Sequence, residues 1–138
     1  ILFDKIKDYV TVFPKSGNHS INFDTAPELV LKALARNLAG SATNTETSDA
    51  DSLVGKMLVY RAGNDGQEGT EDDVIIDAGM PMNQKENVIF LTMFLNRAAS
   101  STYLRVRVKG IEKNSGVSSV IDAVVERGSL GVVQWSRK

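Results

Sequence analysis

Apolar residues recur along this chain at two different periods, and the change of period divides it. In INFDTAPELVLKALARNLAG, residues 21–40, Val30, Leu34 and Leu38 return at helical spacing. Thr25 stands where it can cap that helix, and Glu28 three residues on completes a capping box. Pro27 falls in the first turn, where its missing N–H costs nothing, and Gly40 marks the stop. The small polar run SATNTETSDAD is a loop. Ser48, followed by Asp49 and Asp51, then opens a second helix with acids at the positive end of its dipole. Leu53, Val54, Met57 and Leu58 form the apolar face of that helix. NQKENVIFLTMF predicts a short third helix capped by Asn83 with Glu86 three residues on, although Ile89, Thr92 and the aromatics suit a strand as well.

The last third alternates with a period of two. In TYLRVRVKG, Leu104, Val106 and Val108 interleave with Tyr103, Arg105, Arg107 and Lys109, the pattern of a half-buried strand. In VSSVIDAVVERG, Ile121, Ala123 and Val125 are placed to face a core while Asp122 and Glu126 face out. Arginines on one strand and acids on the next suit antiparallel neighbours. SLGVVQWSRK supplies a third strand. Near the start, DYVTVFP is a strand-like run ending at Pro14, KSGNHS turns the chain, and the run predicts a fourth, edge strand. The expected fold class is α+β in a single domain, 1–138: a helical segment over 22–61, a loop over 62–80, and an antiparallel meander of three to four strands over 100–138. Nothing alternates strand and helix as a βαβ fold requires.

Composition narrows the functional classes. The chain has 138 residues, 42% hydrophobic and 24% charged, an ordinary balance for a soluble globular domain. A formal net charge of −1 argues against a nucleic-acid surface. Cysteine is absent, so disulfides and thiolate sites are excluded. No apolar run reaches about 18 residues, so nothing in the chain predicts a membrane span. It begins ILFDKIK without Met, which reads as a fragment or a processed form and leaves room for a removed anchor or signal segment.

Local chemistry concentrates in YRAGNDGQEGTEDDVIID, residues 60–77, which holds three glycines and six acids: Asp65, Glu68, Glu71, Asp72, Asp73 and Asp77. Crowded carboxylates are screened by water or neutralised by a cation. Calcium takes oxygen ligands from carboxylates, carbonyls and water, and glycines let a loop bend sharply enough to gather them. Candidate ligands are Asn64, Asp65, Glu68, Thr70, Asp72 and Asp73. Hard oxygen donors without His or Cys favour calcium over zinc or copper, and the spacing is not that of an EF-hand. The alternative is a solvated turn with the acids simply exposed. His19, beside Ser20 and near Asp24, is the single histidine and reads as a loop residue rather than part of a triad. GNDGQEG fails the spacing of a phosphate loop and would repel phosphate. Trp135 is expected to pack in the core or on the sheet face rather than to serve as a ligand platform. No nucleophile–base pair is visible, so no catalytic activity is expected.

Several of these stretches share a resemblance. INFDTAPELVLKAL resembles the I-N-x-N-T-A-P…L-x-x-L segment of the K-type minor pseudopilins of the type II, or general, secretion pathway. YRAGNDGQEGTEDDV resembles the D-G-x-x-G-T-x-D-D loop that in pseudopilins is associated with calcium. RAASSTYLRVRVKG, AVVERG and VVQWSRK look like the family's C-terminal strands, the last ending in Trp and a basic residue. The likeness covers most of Val10 to Lys138. Asp24 stands where the family motif has Asn, and no L-P-G-I follows the first helix. The resemblance implies a pilin-like sheet with an inserted helical segment, and a membrane helix preceding the present chain. It implies a cap at the tip of the periplasmic pseudopilus, assembled with the I- and J-type minor pseudopilins on the periplasmic side of the bacterial inner membrane. The chain by itself is then expected to be monomeric. A second function class, a free-standing calcium-dependent extracellular adhesion or recognition module, accepts the same loop. An apolar helix upstream of Ile1 would mark the first and a cleavable signal peptide the second.

Overall fold

The first helix begins at Glu28, not at Thr25. Pro27 occupies the N-cap position of α1, Glu28–Leu38, and no side chain caps it. Proline's fixed φ already suits the helix entrance, so the chain turns in there and leaves Thr25 outside. Ala39 is the C-cap, which puts the end of the helix at the expected Gly40. The second helix, α2, spans Thr47–Arg61 and starts one residue before Ser48, because the Asp49 carboxylate accepts from Glu46 N–H at 2.8 Å. The third, α3, spans Gln84–Phe94. Here both halves of the capping box are present: Glu86 N–H donates to Asn83 Oδ1 at 2.9 Å and Asn83 N–H to Glu86 Oε2 at 2.7 Å. With its start so well defined, the segment stays helical through the ambiguous aromatics to Phe94.

The structure is a computed structural model describing residues 5, 20–40, 42–98 and 100–137. The described residues are α+β and form two compact units, one over 20–98 and one over 100–137. The predicted edge strand at DYVTVFP, the KSGNHS turn and His19 lie outside the described residues. Among those residues no helix is long and apolar enough to cross a membrane.

The helical unit is built around one core. Leu31 and Ala35 of α1, Ala50, Leu53, Val54 and Met57 of α2, and Ile89, Phe90 and Met93 of α3 are all fully buried. Phe23 and Ile76 from the connecting segments join them. The stripe read from the sequence on α1, Val30, Leu34 and Leu38, packs at the margin of this core, while the next stripe round the helix, Leu31 and Ala35, takes the centre. Two adjacent apolar stripes were available, and only the direction of α2 and α3 chooses between them. Each fully buried Leu, Ile or Phe contributes about 1.5–3 kcal/mol. Arg36 of α1 clamps Asp51 of α2 through two hydrogen bonds of 2.7 and 2.8 Å, which hold that carboxyl below its usual range.

The second unit is an antiparallel sheet in the order β1-β2-β3, with β1 Tyr103–Ile111, β2 Ser118–Glu126 and β3 Val132–Arg137. Val106 stands opposite Ala123, and Ala123 opposite Trp135, so Leu104, Val106, Val108, Ile121, Ala123, Val125 and Trp135 share one face. Arg107 stands opposite Asp122 and grips it at 2.8 and 3.0 Å, the cross-strand pairing the charge pattern predicts. The expectation that Ile121, Ala123 and Val125 on this face pack into a core is corrected: no residue of the three strands is buried. Trp135 is 66% exposed and Val106 40%. Alternation identifies which side chains share a face, and says nothing of what covers that face.

Candidate functional site

The acidic loop is closed at its base by one arginine. Arg61 ends α2 and is 6% exposed. Its Nη1 donates to Phe23 O at 3.1 Å and Ala26 O at 2.7 Å, and its Nε and Nη2 donate to Glu68 Oε1 at 2.9 and 2.6 Å. Its own carbonyl accepts from Val74 N–H at 3.0 Å, where the chain returns from the loop. A buried guanidinium requires a full set of acceptors, and here two carbonyls and a carboxylate provide it. The segment between Arg61 and Val74 is thus tied at both ends to the last residue of α2. Nothing in the apolar pattern marks Arg61. The available signal was a charged residue at a helical position next to the buried ladder of Leu53, Val54 and Met57.

Asp72 organises the inside of the loop. Its Oδ2 accepts from Asn64 N–H at 2.7 Å and Asp65 N–H at 3.0 Å, and its Oδ1 lies 2.8 Å from the Thr70 hydroxyl. Those bonds, the Thr70 hydroxyl first and then the two N–H groups, hold the Asp72 carboxyl below its usual range despite its partial desolvation. Asp73 Oδ2 accepts from Gly69 N–H and Asp65 Oδ1 from Gln67 N–H, both at 2.7 Å. The turn needs glycine at position 63, where φ is +63° and an added Cβ would fall 2.3 Å from Asp72 O. No L side chain fits there without displacing backbone.

The structure therefore brings Asn64, Asp65, Thr70, Asp72 and Asp73 into one hydrogen-bonded turn and takes Glu68 out of it, to Arg61. Asp77 lies apart, with Oδ1 3.4 Å from the Tyr60 hydroxyl and 2.8 Å from Gly79 N. Burial, and then the Asp77 charge, push the Tyr60 phenol up. The donor set is the hard-oxygen kind that calcium takes, and among the described residues Asp65 and Asp73 each engage one carboxylate oxygen in hydrogen bonds. Among the described residues, however, no three or more His, Cys, Asp or Glu side chains are gathered at metal-binding distances. The carboxylates act as acceptors for loop N–H groups, so an ion would draw on oxygens that at present stabilise the turn. Among the described residues no Lys or Arg is paired with Asp65, Glu71, Asp72, Asp73 or Asp77.

Two further carboxylates do structural work that the sequence reading did not assign. Asp24 accepts from Ile76 N–H at 2.8 Å and from Arg97 Nη2 at 3.3 Å, joining the segment before α1 to the segments before and after α3. Glu86 is fully buried, with Oε1 accepting from Ser52 Oγ at 2.7 Å and Oε2 from Lys56 Nζ at 2.6 Å. Burial pushes its carboxyl up, but the bonds from Lys56, Ser52 and Asn83 outweigh it, and the group is held below its usual range. The capping box located Glu86, while its second task of seating α2 against α3 depends on where Ser52 and Lys56 arrive. Comparison of the chain with protein-family models, with curated proteins and with solved structures finds no match.

Proposed function

We propose that the chain is the globular portion of a K-type minor pseudopilin of the type II secretion pathway, a non-catalytic structural protein at the tip of the periplasmic pseudopilus that assists its assembly and protein export. One observation carries the reading: the order of elements. The I-N-F-D-T-A-P run leads into α1, the Asp-Gly-rich loop follows α2 directly, and the Tyr-x-Arg-Val run opens β1 of an antiparallel meander whose last strand ends in Trp135 and Arg137. The family-like motifs fall in that order at those junctions. A pilin-like arrangement of the sheet, partnership with I- and J-type minor pseudopilins and a periplasmic location belong to this proposal. So does calcium held by Asp65, Asp72 and Asp73, with Asn64 and Thr70 supplying neutral oxygens and Glu68 fastening the loop to Arg61.

Co-purification of the chain with soluble I- and J-type partners tests the assignment, with the upstream part of the globular domain restored. Assembly is expected, and failure to bind in the presence and absence of calcium removes it. The metal is tested separately. An ion bound only by the native state raises stability by about 2.7 kcal/mol at a hundredfold excess over its Kd. A melting temperature equal in millimolar calcium and in chelator would count against a bound ion.

A further inference from the structure

We infer that the apolar groove beside the C-terminal half of α2 docks a cationic amphipathic peptide segment, its apolar side chain lodged among Val59, Tyr60, Met80 and Met82 and its basic side chains toward Asp77 at the rim. The groove encloses about 500 Å³ between α2 and the segment entering α3. Val59 is 73% exposed although it sits within a helix, and Pro81 and Met82 continue the same apolar surface. An isolated exposed Val is ordinary, but a contiguous apolar hollow marks a binding surface. Met80 and Met82 suit a side chain of loosely defined shape, because an unbranched thioether adapts its rotamers to what it meets.

Charge selects the occupant. Among the described residues the one cation on the groove wall, Lys56, is already bonded to buried Glu86 at 2.6 Å, so it is not free to attract an acidic partner. Tyr60 lines the groove and carries Asp77 at its rim, 3.4 Å from the hydroxyl. Arg61, the next residue, anchors both ends of the loop bearing Asp65, Glu71, Asp72 and Asp73, none of them paired with a described Lys or Arg. Over residues 20–98 the sequence has twelve Asp and Glu against six Lys and Arg, a formal −6. An apolar hollow with Asp77 at its rim, on a unit of formal charge −6, favours a helix with an apolar stripe and basic flanks, and repels an acidic one. This inference is independent of the secretion reading.

The probe is a short synthetic helix-forming peptide with Leu and Lys at helical spacing, titrated into the isotope-labelled chain. Its control keeps every Lys and replaces each Leu with Ser. The Leu–Lys peptide is expected to shift the amides of Val59, Tyr60 and Met82 and to bind on the order of tenfold tighter than the control, the effect of losing one well-seated anchor. Val59→Lys, at an exposed position, is expected to weaken binding by a similar factor with the helical circular dichroism unchanged, and Met82→Ser to do so without altering charge. Equal affinity for the two peptides, shifts confined to the loop or the sheet, affinities unchanged in both variants, or no binding of either peptide would each overturn the proposal.

Discussion

The two units put their apolar residues to different use. In the helical unit the central side chains are wholly removed from water, and its buried charges, Arg61 and Glu86, are each satisfied by three or more bonds. In the sheet unit the strands hold together by a regular antiparallel ladder and by cross-strand pairs such as Arg107–Asp122, while every strand residue stays at least partly exposed. Charge divides the same way. Residues 20–98 carry a formal −6, and residues 100–137 hold six Lys and Arg against three Asp and Glu, a formal +3. A near-neutral chain thus conceals two oppositely charged halves. Burial and polar satisfaction, rather than secondary-structure content, decide where a substitution hurts.

The contrast predicts a hierarchy. Phe90→Ala should cost about 3–5 kcal/mol, since it removes a fully buried ring and leaves a cavity, whereas Leu104→Ala, half-exposed on the sheet, should cost about 1 kcal/mol or less. Denaturant unfolding read from amide exchange in α2 and in β2 measures both. Equal costs would mean that the sheet face is covered and the contrast fails.

Next in size is Glu86→Ala, expected to cost about 2–4 kcal/mol by removing the acceptor of Ser52, Lys56 and the Asn83 N–H together. The pH dependence sharpens this. Glu86 and Asp72 are both depressed in the folded state, so the stability they confer is complete above the unfolded carboxyl values, about 3.9 to 4.3. It is lost as pH falls through their lower folded values. Acid should therefore weaken the helical unit first, and Glu86→Gln should flatten that decline in thermal melts recorded by helical circular dichroism.

Gly63→Ala should cost about 1–3 kcal/mol, because it combines positive φ with backbone overlap at Asp72. Gly66→Ala, with similar φ but open space, should cost about 1–2 kcal/mol at most. Comparable losses would show that Asp72 gives way easily and that the loop is softer than its hydrogen bonds imply. The smallest effect is that of Arg107–Asp122. A double-mutant cycle should return about 0.2–1 kcal/mol, since Arg107 is largely exposed to water.

Much of the fold was legible in the chain. The capping residues Asn83 and Glu86 located α3, the apolar face of α2 was read correctly at Leu53, Val54 and Met57, and the strict alternation after Tyr103 yielded three strands and the Arg–Asp pairing. The candidate loop was legible as a glycine-hinged acidic turn, while the central place of Asp72 within it emerged only from its hydrogen bonds to Asn64, Asp65 and Thr70. What was missed were partners distant in sequence: Arg61 reaching Phe23 and Ala26, Asp24 reaching Ile76 and Arg97, and Glu86 receiving Ser52 and Lys56.

The sequence by itself determined the elements and their order, because caps, periodicity and glycine placement act within a few residues of chain. It also determined which carboxylates could crowd together, since Asp65 to Asp73 share one short loop. Only the tertiary structure decided which of two apolar stripes on α1 became the core face, and that Glu68 would leave the loop for Arg61. The physical reason is common to both. A buried side chain is chosen by what stands opposite it, and a buried guanidinium draws the nearest free carboxylate, so each outcome depends on the approach of segments that the local pattern cannot orient.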